Sequence, residues 1–374
     1  MIERDWGVFR LYHGDNLQVL RAMPDASVDS IVTDPPYGLA FMGKKWDYEV
    51  PPVETWAECL RVLKPGGHLL AFAGTRTQHR MAVRIEDAGF EIRDMLAWVY
   101  GSGFPKSLDV SKALDKAAGA ERGPGEPGPY SNRRPRAEVK ALNAYADGVG
   151  SASSALITNP ATDAARQWEG WGTALKPAFE PITMARKPLI GTVAANVLVQ
   201  GVGGLNIDGA RVPSNCGNET SALGRWPANL IHDGSDEVLA AFPQAPGQQG
   251  PIRADGLPRK VGGGAVFGSL KYPTSAPAAR GDGGSAARFF YCAKASPSDR
   301  GKGNNHPTVK PTDLMRYLVT LVTPPGGLVL DPWMGSGSTG KAAVAAGFRF
   351  VGIDCDDWLD VAARRIAMAA WGVA

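Results

Sequence analysis

The sequence has few cysteines, and their spacing excludes two classes of protein. Its four cysteines are far apart and form no Cys-x-x-Cys pair; they are Cys59, Cys216, Cys292 and Cys355. This spacing argues against a zinc ribbon and against a disulfide framework. The five histidines include no pair with metal-ligand spacing on one helix face, so we predict no metal site.

Long apolar runs are also absent. No run of about 18 apolar residues is present, so the sequence predicts no membrane-spanning helix. The first residues, Met1 to Asp5, lack the apolar core of a signal peptide, and we expect a cytoplasmic protein. The formal net charge of +3 over 374 residues is small, so by itself it is weak evidence for a polyanionic partner.

The positive charge is concentrated in one segment. Between residues 251 and 311, ten lysines and arginines stand against three aspartates. The ten are Arg253, Arg259, Lys260, Lys271, Arg280, Arg288, Lys294, Arg300, Lys302 and Lys310. A local excess of this kind is typical of a surface that contacts phosphate groups. A solvated basic loop is the alternative interpretation.

Strand and helix patterns alternate near both ends of the chain. Residues 9–101 and 312–371 contain apolar runs of strand type between amphipathic helix patterns. Such alternation predicts a mostly parallel sheet with helices on both faces. The stretch between them breaks the pattern, although residues 181–186 are expected to return to the sheet as a short strand. Within that stretch, Gly123 to Pro129 is so rich in glycine and proline that we predict neither helix nor strand.

A glycine-rich loop follows the apolar run Gly327–Leu330. The loop Gly335–Gly340 has the Gly-x-Gly-x-x-Gly form, whose small residues let the backbone approach a bound nucleoside. Asp354 ends the next predicted strand, 19 residues after Gly335, where a carboxylate can hold both ribose hydroxyls. A nicotinamide oxidoreductase would fit this half of the chain equally well.

The segment Asp34-Pro35-Pro36-Tyr37 follows the predicted strand Val28–Thr33. An exocyclic amino group of adenine or cytosine is a poor nucleophile, because its lone pair is delocalised into the ring. The Asp34 carboxylate and the Pro35 carbonyl can accept hydrogen bonds from its two N–H groups, since the prolines fix the turn and so the direction of that carbonyl. Tyr37 offers an aromatic face for a flipped-out base.

The amino nitrogen of such a base can attack the methyl group of a sulfonium in one in-line displacement. No cysteine follows a proline, so the nucleophile of cytosine C5 methylation is absent. The candidate catalytic residues are Asp34, Pro35, Pro36 and Tyr37. The alternative is a proline-stiffened turn with a structural aspartate.

The two motifs, in this order, resemble those of the β class of DNA amino-methyltransferases, a circularly permuted family of bacterial and phage enzymes. The segments Trp98–Lys106 and Lys176–Pro181 are similar to pieces of the same enzymes, and the resemblance covers about half of the chain. It implies an α/β, Rossmann-like, S-adenosylmethionine-dependent methyltransferase fold. The implied sheet is mixed, mostly parallel and seven-stranded, with helices on both faces and irregular insertions.

The resemblance also implies a division of the chain. Residues 1–101 are expected to form the catalytic half and residues 305–374 the cofactor-binding half. Between them, we expect a partly flexible insertion at 102–178, a return to the core at 179–189 and the target-recognition region at 190–304. Adenine N6 is the favoured target, because aspartate at the first motif position is commoner in the adenine enzymes. Cytosine N4 is the alternative with the same site.

The implied cofactor is S-adenosyl-L-methionine. In the family, the acid at the position of Asp331 lies near the methionine part, and phenylalanine usually stands at the position of Trp333. A segment similar to that around Lys310 helps to hold the methionine carboxylate, and a Gly-Asp pair similar to that at Asp15 contacts adenine. The candidate cofactor-binding residues are Asp15, Asn16, Asp34, His306, Thr308, Lys310, Asp331, Pro332, Trp333, Gly335, Ser336, Gly337, Ser338, Thr339 and Asp354. An aspartate before a helix also serves as an N-cap, which is the alternative for Asp15.

Double-stranded DNA is the partner that the resemblance implies, and no membrane is expected. It leaves a homodimer and a cognate restriction enzyme open. An NAD-type oxidoreductase would leave Asp34–Tyr37 unexplained, and a non-catalytic DNA-binding protein would not need intact motifs at both ends. An RNA or protein methyltransferase would share the Pro-Pro-Tyr chemistry, but the motif order and the basic segment favour DNA.

Overall fold

A ten-stranded sheet organises the chain in this computed structural model. The structure describes residues 2–39, 47–103, 107–127, 156–213, 224–245, 284–294, 296–301 and 303–372. Among these residues, no helix has the length and apolar composition needed to span a bilayer. Most of the predicted basic segment, from Arg253 to Arg280 together with Lys302, lies outside the described residues.

Twelve strands are found in the described part of the chain. They are β1 (Ile2–Asp5), β2 (Phe9–His13), β3 (Val28–Thr33), β4 (Leu63–Phe72), β5 (Glu91–Val99), β6 (Gly123–Pro127), β7 (Leu156–Asn159), β8 (Phe179–Arg186), β9 (Leu230–His232), β10 (Tyr291–Cys292), β11 (Leu328–Asp331) and β12 (Arg349–Asp354). The main sheet has the order β1-β2-β12-β11-β3-β4-β8-β5-β9-β10, and β6 and β7 form a separate ribbon.

The predicted fold class is confirmed, with a difference in the strand count. The seven strands from β2 to β5 in the sheet order form its centre, and only β8 among them runs antiparallel to its neighbours. Three short strands extend this centre at its edges: β1 pairs antiparallel with β2, and β9 and β10 follow β5. They were not expected because strands of two to four residues give almost no periodic signal in the sequence.

The helices cover both faces of the sheet, as predicted. They are α1 (Asn16–Ala22), α2 (Val53–Val62), α3 (Gln78–Asp87), α4 (Val110–Ala117), α5 (Asp163–Gln167), α6 (Val193–Gln200), α7 (Asp236–Ala241), α8 (Pro297–Arg300), α9 (Thr312–Val322), α10 (Ser338–Ala345) and α11 (Leu359–Trp371). Apolar residues of α9, α10 and α11 fill the core on one face. Those of α1, α2 and α3 fill the core on the other face, around the fully buried Trp56.

The prediction for Gly123–Pro129 was wrong in its first part. Gly123–Pro127 forms β6, which pairs antiparallel with β7. In a two-stranded ribbon each strand has one partner only, so a proline that lacks an N–H donor can be tolerated where it faces away from that partner. The glycine and proline content therefore excluded a central strand but not an edge strand.

The strands from the two ends of the chain interleave. β12 lies beside β2, with Phe350 opposite Phe9 and Asp354 opposite His13, while β11 lies beside β3. The first strand of the central seven therefore lies beside the last strand of the chain. Because β2, β12, β11 and β3 are parallel neighbours, their carboxyl ends meet at one edge of the sheet.

Candidate active site

Each of these four strand ends carries an acidic residue. Asp34 directly follows β3, Asp331 and Asp354 are the last residues of β11 and β12, and Asp15 follows β2 after one glycine. The topology therefore brings the two sequence motifs together, although they are about 300 residues apart. A hydrogen bond of 2.6 Å from the Thr33 hydroxyl to Asp331 Oδ1 joins the two strand ends directly.

The turn at Asp34–Tyr37 is held by a carboxylate that the sequence analysis missed. Asp47, which is buried, accepts hydrogen bonds from the backbone N–H groups of Tyr37 (2.7 Å), Gly38 (3.0 Å) and Leu39 (3.2 Å). On the other side, the Thr77 hydroxyl donates to the Tyr37 carbonyl at 2.6 Å. The conformation of the turn is thus fixed by the surrounding protein.

Asp34 belongs to a group of four charged and polar side chains. The Tyr37 hydroxyl donates to Asp34 Oδ1 at 2.7 Å, and the Lys310 ammonium donates to Asp34 Oδ2 at 2.8 Å. Lys310 Nζ also lies 3.1 Å from Glu180 Oε2 and 3.1 Å from the Tyr37 hydroxyl oxygen. The Tyr37 hydroxyl is 3.0 Å from Glu180 Oε2, so its single proton has two acceptors. We call Asp34, Tyr37, Glu180 and Lys310 the Asp34 cluster.

The charges of the Asp34 cluster are partly removed from water. The side chains of Lys310, Glu180 and Asp34 are 10%, 21% and 24% exposed. Burial lowers the pKa of Lys310, but the carboxylates of Asp34 and Glu180 raise it more, so the net shift is upward. Burial, Asp34 and Glu180 all raise the pKa of Tyr37. At neutral pH the lysine is therefore charged and the tyrosine is neutral.

Two members of the Asp34 cluster were not predicted in these positions. Lys310 was expected at the methionine carboxylate, and the structure places its ammonium on Asp34, 4.8 Å from the centre of the Phe72 ring. Glu180 received no role, although its segment resembled the family. One signal was available: Glu180 is two residues from the buried Ile182 in β8, so the same face of a strand carries a carboxylate and core residues.

Asp331 is buried, and its carboxylate links the end of β3 to the glycine loop through hydrogen bonds. Its Oδ1 accepts from the Thr33 hydroxyl and from the Trp333 N–H at 3.1 Å, and its Oδ2 accepts from the Thr339 hydroxyl at 2.6 Å. Burial raises the pKa of Asp331 to about 7, although the three hydrogen bonds favour the ionised form. The following residue, Pro332, is also buried, and the Trp333 ring packs on Trp56 with 5.0 Å between centroids.

The glycines of the loop serve two different purposes. Gly335 and Gly337 have φ angles of +50° and +81°, which favour glycine. A Cβ at Gly340 would lie 2.5 Å from side-chain atoms of Ile366 and Phe350, so this glycine allows α10 to pack closely on β12 and α11. The first two glycines therefore shape the loop, and the third is required by the core.

Ser336 is held by a buried arginine that the sequence analysis also missed. Arg365 of α11 donates to the Ser336 hydroxyl at 2.9 Å and to its carbonyl, and Asn304 donates to the same hydroxyl at 3.2 Å. Burial lowers the pKa of Arg365 to about 10, so it remains charged at neutral pH. Ser338 Oγ lies 3.4 Å from the Arg365 guanidinium.

Asp354 lies against the start of the loop. Its Oδ2 accepts from the Gly335 N–H at 2.7 Å, and its Oδ1 accepts from the Asp356 N–H at 2.8 Å. Burial raises the pKa of Asp354 to about 6. Each carboxylate oxygen keeps a further lone pair, so the side chain can accept two more hydrogen bonds.

The remaining predicted residues lie around the same loop. The His306 ring meets the Trp358 ring edge to face, with 4.6 Å between their centroids. Its Nδ1 lies 2.5 Å from the Thr308 carbonyl oxygen, and its Nε2 would lie 2.9 Å from a Cβ at Gly335. Asp15 accepts from the Gln18 N–H at 2.9 Å, which is the N-cap contact given above as the alternative. The amide of Asn16 reaches the Pro332 carbonyl at 3.5 Å.

The family comparison matches the two parts of the chain that form this site. A model of the family described as DNA methylase matches residues 28–123 and 270–359, about half of the chain. The type II methyltransferase M.HindIII of Haemophilus influenzae is 24% identical over 321 residues, which are 84% of this chain and 68% of the relative.

Two further similarities come from a shorter match and from a solved structure. The DNA adenine methyltransferase YhdJ of Escherichia coli is 39% identical over 67 residues, 18% of this chain and 23% of the relative. The crystal structure of the M1.HpyAVI–SAM complex aligns over 96% of this chain and 98% of that chain, with 16% identity and a TM-score of 0.42.

Proposed function

Because the chain belongs to the N6/N4 family of DNA methylases, we propose that it transfers a methyl group from S-adenosyl-L-methionine to the exocyclic amino nitrogen of a base flipped out of double-stranded DNA. One observation carries this proposal. The bond between Thr33 and Asp331 fixes the Asp34 turn beside the glycine loop, so an acceptor for an amino group adjoins a loop suited to a nucleoside.

The loop fits the proposed cofactor in shape and in its hydrogen-bond acceptors. Gly335 and Gly337 present backbone without side chains, and Asp354 has free lone pairs for two ribose hydroxyls. When bound, S-adenosyl-L-methionine supplies an electrophilic methyl group on a positively charged sulfur.

The residues of the turn act on the target base. Asp34 accepts one N–H of the amino group and the Pro35 carbonyl accepts the other, so that the nitrogen lone pair is available. Pro36 stiffens the turn, and Tyr37 offers its ring to the base while Asp34, Glu180 and Lys310 fix its hydroxyl. With S-adenosyl-L-methionine bound, the nitrogen would form a bond to the methyl carbon as the bond from carbon to sulfur breaks, and the proton that the nitrogen then loses would pass to solvent by way of Asp34, which accepts that N–H.

A direct assay tests the activity. Purified protein is incubated with radiolabelled S-adenosyl-L-methionine and with duplex DNA, RNA or protein, and label is expected in the DNA alone. Calorimetry should detect binding of S-adenosyl-L-methionine and none of NAD. Label in RNA or protein, or binding of NAD, would contradict the proposal.

Adenine N6 is the proposed target, and cytosine N4 is the alternative. Aspartate at the position of Asp34 supports adenine, and so does the similarity to YhdJ, whose name states adenine. Mass spectrometry of nucleosides from DNA methylated by the purified protein distinguishes the two. N6-methyl-2′-deoxyadenosine is expected, and N4-methyl-2′-deoxycytidine would establish the alternative.

Residues 190–304 are the proposed target-recognition region. The support is the excess of lysine and arginine after residue 251, in a stretch that breaks the alternating pattern of the sequence. Neutralising three of Arg253, Arg259, Lys260 and Lys271 should lower DNA affinity, and each lost phosphate contact should reduce the log–log salt slope by about 0.9. An unchanged slope between about 50 and 200 mM salt would point to other cations. The candidates are Arg133, Arg134 and Arg136, which also lie outside the described residues.

The remaining partners are proposals with simple tests. A homodimer would be detected by light scattering of the purified protein with and without DNA. A cognate restriction enzyme would be detected as an endonuclease whose cleavage of a DNA is blocked by prior methylation with this protein.

A further inference from the structure

We propose that Glu180 is a positioning residue for methyl transfer, which shares Lys310 with Asp34 and so keeps the Asp34 carboxylate open to the target amino group. This inference rests on the proposed function, because it concerns how Asp34 stays competent. It assigns a role to a residue outside both sequence motifs.

The donors of Lys310 are all used within the Asp34 cluster. Its ammonium has three N–H groups, and three acceptors surround it: Asp34 Oδ2 at 2.8 Å, Glu180 Oε2 at 3.1 Å and the Tyr37 hydroxyl at 3.1 Å. The lysine is therefore fully engaged by this cluster. Only one of the three contacts occupies the carboxylate that must accept the amino group.

The charges of the Asp34 cluster do not cancel. One ammonium stands between two carboxylates, so neither carboxylate is fully neutralised. If Glu180 lost its charge, Asp34 would be the only carboxylate within salt-bridge distance of Lys310 in the described part of the chain. The pair of Asp34 and Lys310 would then tighten, and a neutral amino group would compete less well for Asp34.

Burial makes this competition strong. The Lys310 side chain is only 10% exposed and lies over the ring of Phe72, so water cannot replace a lost partner easily. Tyr37 connects the two carboxylates further, because its hydroxyl reaches both Asp34 and Glu180. Glu180 itself is fixed by β8, a strand hydrogen-bonded on both sides to β4 and β5.

The experiment compares four forms of the full-length protein: wild type, Glu180→Gln, Lys310→Met and the double variant. Glutamine keeps the acceptor oxygen and removes the charge, and methionine keeps the contact with Phe72. Glu180→Asp tests rescue by a shorter carboxylate. Glu91→Gln is the matched control. Glu91 of β5 pairs with Arg186 of β8 at 2.6 Å, at the end of β8 opposite to Glu180. Thermal unfolding shows that each variant is folded.

Glu180→Gln should lower kcat by about tenfold or more, the scale of one lost electrostatic contribution to a transition state. KM for DNA and the Kd for S-adenosyl-L-methionine should change by less than about twofold, since Glu180 contacts neither motif loop beyond Tyr37. Glu180→Asp should recover part of the loss, and Glu91→Gln should behave as wild type. In the Lys310→Met background, adding Glu180→Gln should cause no further loss, because no cation is left to capture Asp34.

Two results would overturn the inference. One is a kcat for Glu180→Gln within about twofold of wild type. The other is a multiplicative loss in the double variant, because Glu180 would then act independently of Lys310. Absence of DNA methylation by the wild-type protein would overturn the proposed function itself, and the wild-type assay separates that failure from the failure of the role of Glu180.

Discussion

The turn after β3 and the loop after β11 adjoin each other, yet they are held in different ways. The turn depends on charged side chains outside it, since Lys310 pairs with both Asp34 and Glu180 while Asp47 accepts hydrogen bonds from the backbone of the turn. The loop depends on buried contacts, such as the hydroxyl groups around Asp331 and the close packing at Gly340.

Because of this difference, substitutions in the turn and in the loop should affect different properties of the protein. A charge balance in a partly buried cluster can change without collapse of the fold, whereas a packed core responds to one added carbon atom. Substitutions in the turn should therefore alter the rate of methyl transfer at nearly constant cofactor affinity. Substitutions in the loop should alter cofactor affinity and the free energy of unfolding.

The largest expected effect is that of Asp34→Ala. It should reduce methyl transfer by at least about a hundredfold, because it removes the proposed charged acceptor of the amino group. The Kd for S-adenosyl-L-methionine should remain nearly unchanged. Radiolabel transfer and calorimetry measure the two quantities. A rate above about a tenth of wild type would remove Asp34 from its proposed role.

Asp354→Ala tests the other side of the comparison. Loss of hydrogen bonds from ribose hydroxyls to a charged group should weaken S-adenosyl-L-methionine binding by about 1.5–3 kcal/mol. Calorimetry measures this directly, and Asp356→Ala is a neighbouring acidic control that contacts Asp354 through its backbone only. An unchanged Kd for Asp354→Ala would place the ribose elsewhere.

Gly340→Ala should test whether the third glycine belongs to the core. The added Cβ would meet Ile366 and Phe350, and overpacking of this kind costs about 1–3 kcal/mol of unfolding free energy. Gly347→Ala is not a suitable control because its φ is +82°, but Gly123→Ala is, since nothing lies within 4 Å of its Cβ position. Urea unfolding of both variants gives the comparison. Equal stability of Gly340→Ala and wild type would contradict the packing role.

The smallest expected effect is a pH dependence of cofactor binding. Burial raises the pKa of Asp354 to about 6, so the carboxylate is ionised above that pH and increasingly protonated below it. An ionised carboxylate is the better acceptor for hydroxyl groups, so affinity for S-adenosyl-L-methionine should fall as the pH drops through about 6. Asp354→Asn should flatten this profile. A profile with the same midpoint in Asp354→Asn would assign the titration to another group.

Much of the fold could be predicted because its central elements carry strong local patterns. The strand at Val28–Thr33 agrees with its prediction, and the alternating pattern predicted over residues 312–371 is found as the helices α9, α10 and α11 with the strands β11 and β12 between them. β9 and β10 were missed because two or three residues cannot show a period.

The site could be predicted only as far as its motifs extend. The position of Lys310 depends on Asp34 and Glu180, which are far from it in sequence, and no local pattern records that balance of charge. The same holds for Asp47 and Arg365, which orient the turn and the loop from outside the motifs. The sequence motif includes Gly340, but the reason for a glycine at this position is the close packing of Phe350 and Ile366.

The interleaving of β12 and β11 between β2 and β3 has a consequence for synthesis of the chain. When β2 and β3 leave the ribosome, the two strands that separate them in the sheet have not been made, since Thr33 and its partner Asp331 are 298 residues apart. The facing edges of β2 and β3 then expose unpaired backbone groups until β11 and β12 have been made. We expect the nascent protein to depend on chaperones, and pairing of these edges to be a slow, late step of folding.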